Sequence, residues 1–208
     1  MPTLAQLRDK FDRILKHIDN RNGINELVKW LESTDFFTAP ASTKFHGNYQ
    51  GGLVEHSIHV VEFGLTIFNW ILKYKPEYEY MKESVIFCGL FHDVCKISQY
   101  IKEEKWTKDN NNKWVKYMGY SVDDKFPFPH GPKSVYYISK FIELTTPEIL
   151  AIRWHMGSTE AGTQIDGLTK YAYQAAFEDP LVKIIAASDQ LSTLLGDKID
   201  YSLQARII

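Results

Sequence analysis

The chain has 208 residues, 44% hydrophobic and 14% aromatic, which is enough apolar material for one sizeable core. Its 24 Lys and Arg nearly cancel 26 Asp and Glu to a formal charge of -2 with no long run of one sign, so neither an extended nucleic-acid surface nor a membrane-attracting one is expected. No apolar run reaches membrane-spanning length, and the opening MPTLAQLRDKFDRIL interleaves charges with apolar positions unlike a secretory leader, so the expected setting is the cytoplasm.

Leu4, Leu7, Phe11, Ile14, Leu15 and Ile18 recur at helical spacing and predict an amphipathic opening helix, with Thr3 and Gln6 placed for a capping box. A shorter pattern at Ile24, Leu27, Val28 and Leu31 completes an N-terminal helical segment over 1–35. STDFFTAPASTKFHGNYQGG is loop chemistry, a connection and not a domain boundary. From Leu53 to about Tyr74 the helical period returns, with His56, Val60, Phe63, Ile67 and Trp70 along one stripe. That stripe carries a histidine into the core. SVIFCGLFHDVC is apolar on nearly every face and reads as a central helix ending near Lys96, within which Cys88 and Cys95 are two turns apart and expected as free buried thiols.

Between Ile97 and Tyr120 aromatic and β-branched residues flank an Asp-Asn-rich turn, the pattern of a β-hairpin over about 100–120. Its Trp106, Trp114 and Tyr117 suit either the packing face of the hairpin or a stacking surface for a base. Gly131-Pro132 supplies a helix start that KSVYYISKFIEL continues, with His130 just before it. Thr146-Pro147 opens another helix that stops near Gly157 and holds His155 in its last turn. In the last strong helix, DPLVKIIAASDQLSTLL, Leu181, Ile185 and Asp189 share a face. The expectation is an all-α helical bundle with a hairpin excursion, one domain over 1–208 whose motif-bearing core runs over 45–195.

His56, His92, Asp93, His155 and Asp189 thus fall on or beside apolar helical faces, and His130 opens a helix beside a proline-rich turn. A lone histidine in such a place is most often a hydrogen-bonded core residue. An unpaired buried carboxylate, however, costs several kcal/mol, comparable with a domain's whole stability, so each needs a partner. A divalent metal is the economical shared partner: imidazole nitrogen with carboxylate oxygen suits Mn, Fe, Zn, Co or Ni, and the lack of clustered cysteines argues against a closed structural zinc site.

The succession GGLVEHS, GLFHDVCK, PHGPKS, RWHMGS and ASDQLSTL resembles the HD superfamily of metal-dependent phosphohydrolases, in its six-ligand variant, from about Phe45 to Leu195. The resemblance implies that His56, His92, Asp93 and Asp189 hold a main metal. It further implies that His130 and His155 hold a second, with Asp93 bridging; a single metal with His130 and His155 contacting phosphate or moving a proton fits the same residues. Lys96 matches the motif's lysine and would either neutralise a substrate phosphate or hold Asp93 in place, while a helix-end lysine is the plain alternative. Where many relatives have glycine this chain has Cys95, a soft ligand or a small packed residue. Lys133, Ser134 and Arg153 are candidate phosphate contacts, and His46 and His59 stay outside the ligand set.

The implied activity is hydrolysis of a phosphomonoester or phosphodiester of a small nucleotide-like substrate by metal-activated water, with Asp93, Lys96, His130 and His155 as catalytic residues. The alternatives are a nucleotide-binding regulatory module with little turnover and an oligonucleotide-end phosphodiesterase. Self-association into a homo-oligomer stays open.

Overall fold

The protein is described by a computed structural model covering residues 2–109, 112–157 and 167–195. Asn110 and Asn111 of the expected turn lie outside the described residues, as do the remaining segments of the expected 1–208 domain. Helix α1, Leu4–Leu15, begins as expected. The Thr3 hydroxyl accepts from the Gln6 N–H at 3.2 Å, and the Thr3 N–H donates to the Gln6 side-chain oxygen at 2.8 Å. The helix buries Leu7, Phe11 and Ile14 and is followed by α2, Ile24–Glu32, which buries Ile24, Leu27, Val28 and Leu31.

The body is built on α3, Gly52–Leu72, and α4, Lys82–Phe91, packed on each other and on α8, Pro180–Leu195. Every residue of α3 from Gly52 to Val61 is buried, as is every residue of α4 from Val85 to Phe91, which is the placement that all-round apolarity dictates. The predicted α3 stripe leaves the core as it proceeds: His56 and Val60 are buried, Phe63 and Ile67 half-buried, and Trp70 is 59% exposed.

The central helix is shorter than its pattern suggested. It ends at Phe91 with His92 as its cap, and Asp93 at φ -108°, ψ 17° turns the chain into a 3-10 turn, Val94–Lys96. Cys88 and Cys95 are buried and free as expected, but they do not share one helix.

Strands β1, Tyr100–Lys108, and β2, Trp114–Val122, form the hairpin, paired antiparallel from Tyr100 opposite Val122 to Lys108 opposite Trp114. Trp106, Trp114 and Tyr117 are exposed and do not form a packing face; Lys116 lies over Trp106 and Lys108 over Trp114.

Helix α5, His130–Ile138, starts one residue earlier than expected, with His130 as its first residue. Pro132 in the first turn lacks an N–H that would have had no intrahelical partner. It also stops short of the expected Leu144. The Ser139 hydroxyl bonds the Val135 carbonyl, and the Phe141 and Ile142 N–H groups both turn back to Ile138.

Helix α6, Thr146–Arg153, is capped by Thr145 and Glu148 in a second capping box. It ends before His155, which therefore stands in the following turn and not in the helix. Helix α7, Gly167–Ala176, was not among the expected elements; its Ala176 is buried and its Tyr173 packs partly buried against the core. Among the described residues, no helix is long and apolar enough to cross a membrane.

Candidate metal centre

The loop preceding α3 is held against that helix's first turn. The Ala41 N–H donates to the Gly47 carbonyl at 2.9 Å, the Ser42 hydroxyl to the His46 carbonyl at 2.9 Å, and the Leu53 N–H to the Ala39 carbonyl at 3.0 Å. At Gly52 a Cβ would fall 2.0 Å from the Gly47 oxygen, so only glycine permits this approach. The loop and helix together set His56 one turn into α3.

Three distant helices then meet. His56 Nε2 lies 3.2 Å from His92 Nε2, 3.4 Å from Asp93 Oδ2 and 3.1 Å from Asp189 Oδ1. His92 Nε2 lies 3.5 Å from Asp93 Oδ2 and 3.7 Å from Asp189 Oδ1. His56, His92 and Asp93 offer donor atoms all within 4.8 Å of one another, and all three are buried. His155 Nε2 approaches the other oxygen of Asp93, Oδ1, at 3.5 Å. The two oxygens of Asp93 thus face different histidines.

The outer nitrogens define how these rings can act. His92 Nδ1 is 3.0 Å from the Gly89 carbonyl and His155 Nδ1 is 2.7 Å from the Ile152 carbonyl, acceptors that require a proton on Nδ1. In the neutral rings Nε2 then carries a lone pair directed at the carboxylates and at its neighbour. Lone pairs and anions at such separations repel unless a cation is shared, so the donor set fits a divalent metal. His56 Nδ1 meets the Ser192 hydroxyl at 2.9 Å, and Ser192, one turn beyond Asp189, went unnoticed in the sequence although that spacing puts both on one face.

Electrostatics agree with a site short of positive charge. Burial opposes the charge on Asp93, but Lys96 and His92 outweigh it and hold the carboxyl well below the usual range. Burial likewise opposes the charge on Asp189, and His56 overcomes it, again lowering the carboxyl. Burial pushes His92 down despite Asp93. For His56 and His155 burial also works against the cation, yet the two aspartates raise both. Protons and Lys96 are thus drawn toward the place a metal would neutralise.

Lys96 is buried with its Nζ 2.5 Å from Asp93 Oδ2, so it holds that carboxylate in place. Cys95 Sγ is 3.8 Å from Asp93 Oδ1 and 3.4 Å from His130 Nδ1, which brings half-buried His130 to the same side of Asp93 as His155. Burial and then Asp93 raise the Cys95 thiol far above its ordinary range, so it is a protonated, packed group.

Of the expected phosphate contacts, Lys133 is buried and donates to Asp124 at 2.7 Å, Ser134 accepts from the Cys95 N–H at 3.1 Å, and the Arg153 guanidinium lies 4.0 Å from the centre of the Trp154 ring. His46 and His59 line a small cavity beside His56 with Gly47, Tyr49, Gly52, Glu55 and Ser192. Burial is the main cause that lowers His46 to about 4 and His59 to about 3.

No protein-family model matches the chain, and no solved structure matches it. Among curated proteins, the dihydroneopterin 2',3'-cyclic phosphate phosphodiesterase of Methanocaldococcus jannaschii is 36% identical over 72 residues, 35% of this chain. The match spans 28% of that protein's length.

Proposed function

We propose that this chain is an HD-type metal-dependent phosphohydrolase that cleaves a phosphodiester or phosphomonoester of a small nucleotide-like substrate in the cytoplasm. The observation that carries the reading is the meeting of His56, His92, Asp93 and Asp189 at one buried point, with His155 on the second oxygen of Asp93. The partial likeness to a cyclic phosphate phosphodiesterase supports phosphodiester hydrolysis as the reaction.

His56, His92, Asp93 and Asp189 would hold the main cation, and His130 and His155 a second one, with Asp93 between them. When bound, Mn, Fe, Zn, Co or Ni there supplies Lewis-acid polarisation of the phosphoryl group and lowers the pKa of water beside it. Asp93, fixed through Oδ2 by Lys96 and facing His155 through Oδ1, would orient the attacking water. Lys96 also brings a buried positive charge toward a phosphate. In the alternative with a single cation, half-buried His130 would give a proton to the leaving oxygen and His155 would hold a phosphate oxygen.

Elemental analysis of the purified protein, followed by assays with Mn on 2',3'-cyclic nucleotides, bis(p-nitrophenyl) phosphate and nucleoside monophosphates, tests the reading. The expected result is up to two metals per chain and phosphoester cleavage that His92→Ala and Asp93→Ala abolish with the metal. Full activity in a metal-free protein would overturn it, and bound metal without turnover across the panel would point instead to a nucleotide-binding regulatory module.

A further inference from the structure

The thiol of Cys95 stands between two residues of the metal centre. Its Sγ is 3.4 Å from His130 Nδ1 and 3.8 Å from Asp93 Oδ1, both within the longer reach of hydrogen bonds to and from sulfur. Its place is fixed from the other side. The Cys95 N–H donates to the Ser134 hydroxyl at 3.1 Å, which ties the 3-10 turn Val94–Lys96 to α5, the helix that His130 opens. The side chain is fully buried, which leaves protein groups as its partners.

One thiol proton can serve only one of the two contacts. Asp93 Oδ1 is the anionic acceptor and takes it, because a charge-assisted bond outweighs one to a neutral ring nitrogen. The sulfur then accepts from His130, which puts the proton of the neutral ring on Nδ1 and the lone pair on Nε2. His92 and His155 share that tautomer, with Nδ1 tied to the Gly89 and Ile152 carbonyls and Nε2 toward the carboxylates. Two of the histidines are thus oriented by backbone, and the third by a side chain.

We propose that Cys95 is a positioning residue for His130, its sulfur accepting from Nδ1–H and its own proton bound to Asp93 Oδ1, so that His130 offers Nε2 to the second cation. The proposal rests on the two-cation form of the metal-centre reading and adds what orients its half-buried histidine. Partners of this kind, one shell out from the metal, are worth about 10–100-fold in metal affinity. Alanine lacks both the acceptor and the donor, whereas serine has both on a slightly shorter side chain.

Two measurements on the full chain test this. Proton–nitrogen correlation spectra of the metal-free protein at pH 8, assigned with His130→Gln, report the tautomer. His130 is expected as Nδ1–H in the wild type and in Cys95→Ser, with Nε2–H gaining in Cys95→Ala. Titration with Co(II), followed by calorimetry and absorbance, is expected to show two binding steps in the wild type. The second should be about tenfold or more weaker in Cys95→Ala and largely restored in Cys95→Ser, with the first unchanged. Three results would each overturn the proposal: His130 protonated on Nε2 in the wild type, an alanine variant that keeps the wild-type tautomer and second step, or a near-ultraviolet thiolate–Co(II) band that Cys95→Ala removes, which would make Cys95 itself a ligand. A chain that takes up no Co(II) fails the metal-centre reading and this proposal with it, whereas binding steps indifferent to residue 95 sink this proposal alone.

Discussion

His56 and His92 present their Nε2 atoms to each other across 3.2 Å, while the far side of His92 is tied to the Gly89 carbonyl at 3.0 Å. The tie dictates the tautomer, and the tautomer leaves two rings competing for one positive charge.

Removing the cation should loosen the body, because the histidines and aspartates come from α3, the end of α4 and α8. Free metal at a hundredfold its dissociation constant is expected to add about 2.7 kcal/mol of stability. Thermal melts with a chelator and then with Mn, Co or Ni restored measure this. Superimposable melts would count against a metal in the site.

Lys96→Met should cost about 3–5 kcal/mol in the metal-free protein, since it leaves Asp93 buried without its closest cation. In the metal-loaded protein the loss should be clearly smaller. Urea unfolding of both forms gives the comparison, and equal losses would mean that the metal does not reach Asp93.

Stability should fall with acid earlier than carboxylates alone dictate. His59 is buried and its folded pKa is about 3, against an ordinary 6.5. The unfolded chain therefore binds a proton that the folded one refuses. Stability from this group is complete above pH 6.5 and is lost as pH falls from there toward 3, by up to about 1.4 kcal/mol per pH unit. Urea titrations at pH 7 and pH 5 should show a shallower loss in His59→Asn than in the wild type.

Gly131→Ala should damage activity more than folding. A Cβ at Gly131 would lie 2.2 Å from the Arg153 carbonyl, so α5 must move off the end of α6, carrying His130 away from His155. Overpacking of this kind costs about 1–3 kcal/mol. The expected variant is folded by circular dichroism, with turnover reduced at least tenfold, and wild-type turnover would show that the spacing of these two histidines is immaterial.

The legible parts of the chain were those in which a local pattern and tertiary demand agree. Thr3 with Gln6 announced α1, and the buried Asp189 on the face of Leu181 and Ile185 announced a carboxylate facing the core. The end of α4 was not legible, because the apolar run continues through Val94 and Cys95 while the chain leaves the helix at Asp93. His155 was expected in the last turn of a helix reaching about Gly157, but α6 ends at Arg153: a capping threonine marks where this helix begins far better than any of its residues marks where it ends. The partner of Lys133 is Asp124, in an irregular segment that no period reaches. His46 was visible as a residue, but its buried, unpaired nitrogen belongs to the folded loop alone.

The hairpin begins and ends on a paired couple, Tyr100 and Val122, and the next residues outward, Gln99 and Asp123, are joined by a backbone hydrogen bond at 2.9 Å. Its two ends therefore leave the body side by side, about 5 Å apart between paired Cα atoms. The rest of the ribbon is an exchangeable cassette: replacing it by a tight turn or a longer insert would leave the segments that carry the six histidine and aspartate positions at their spacing.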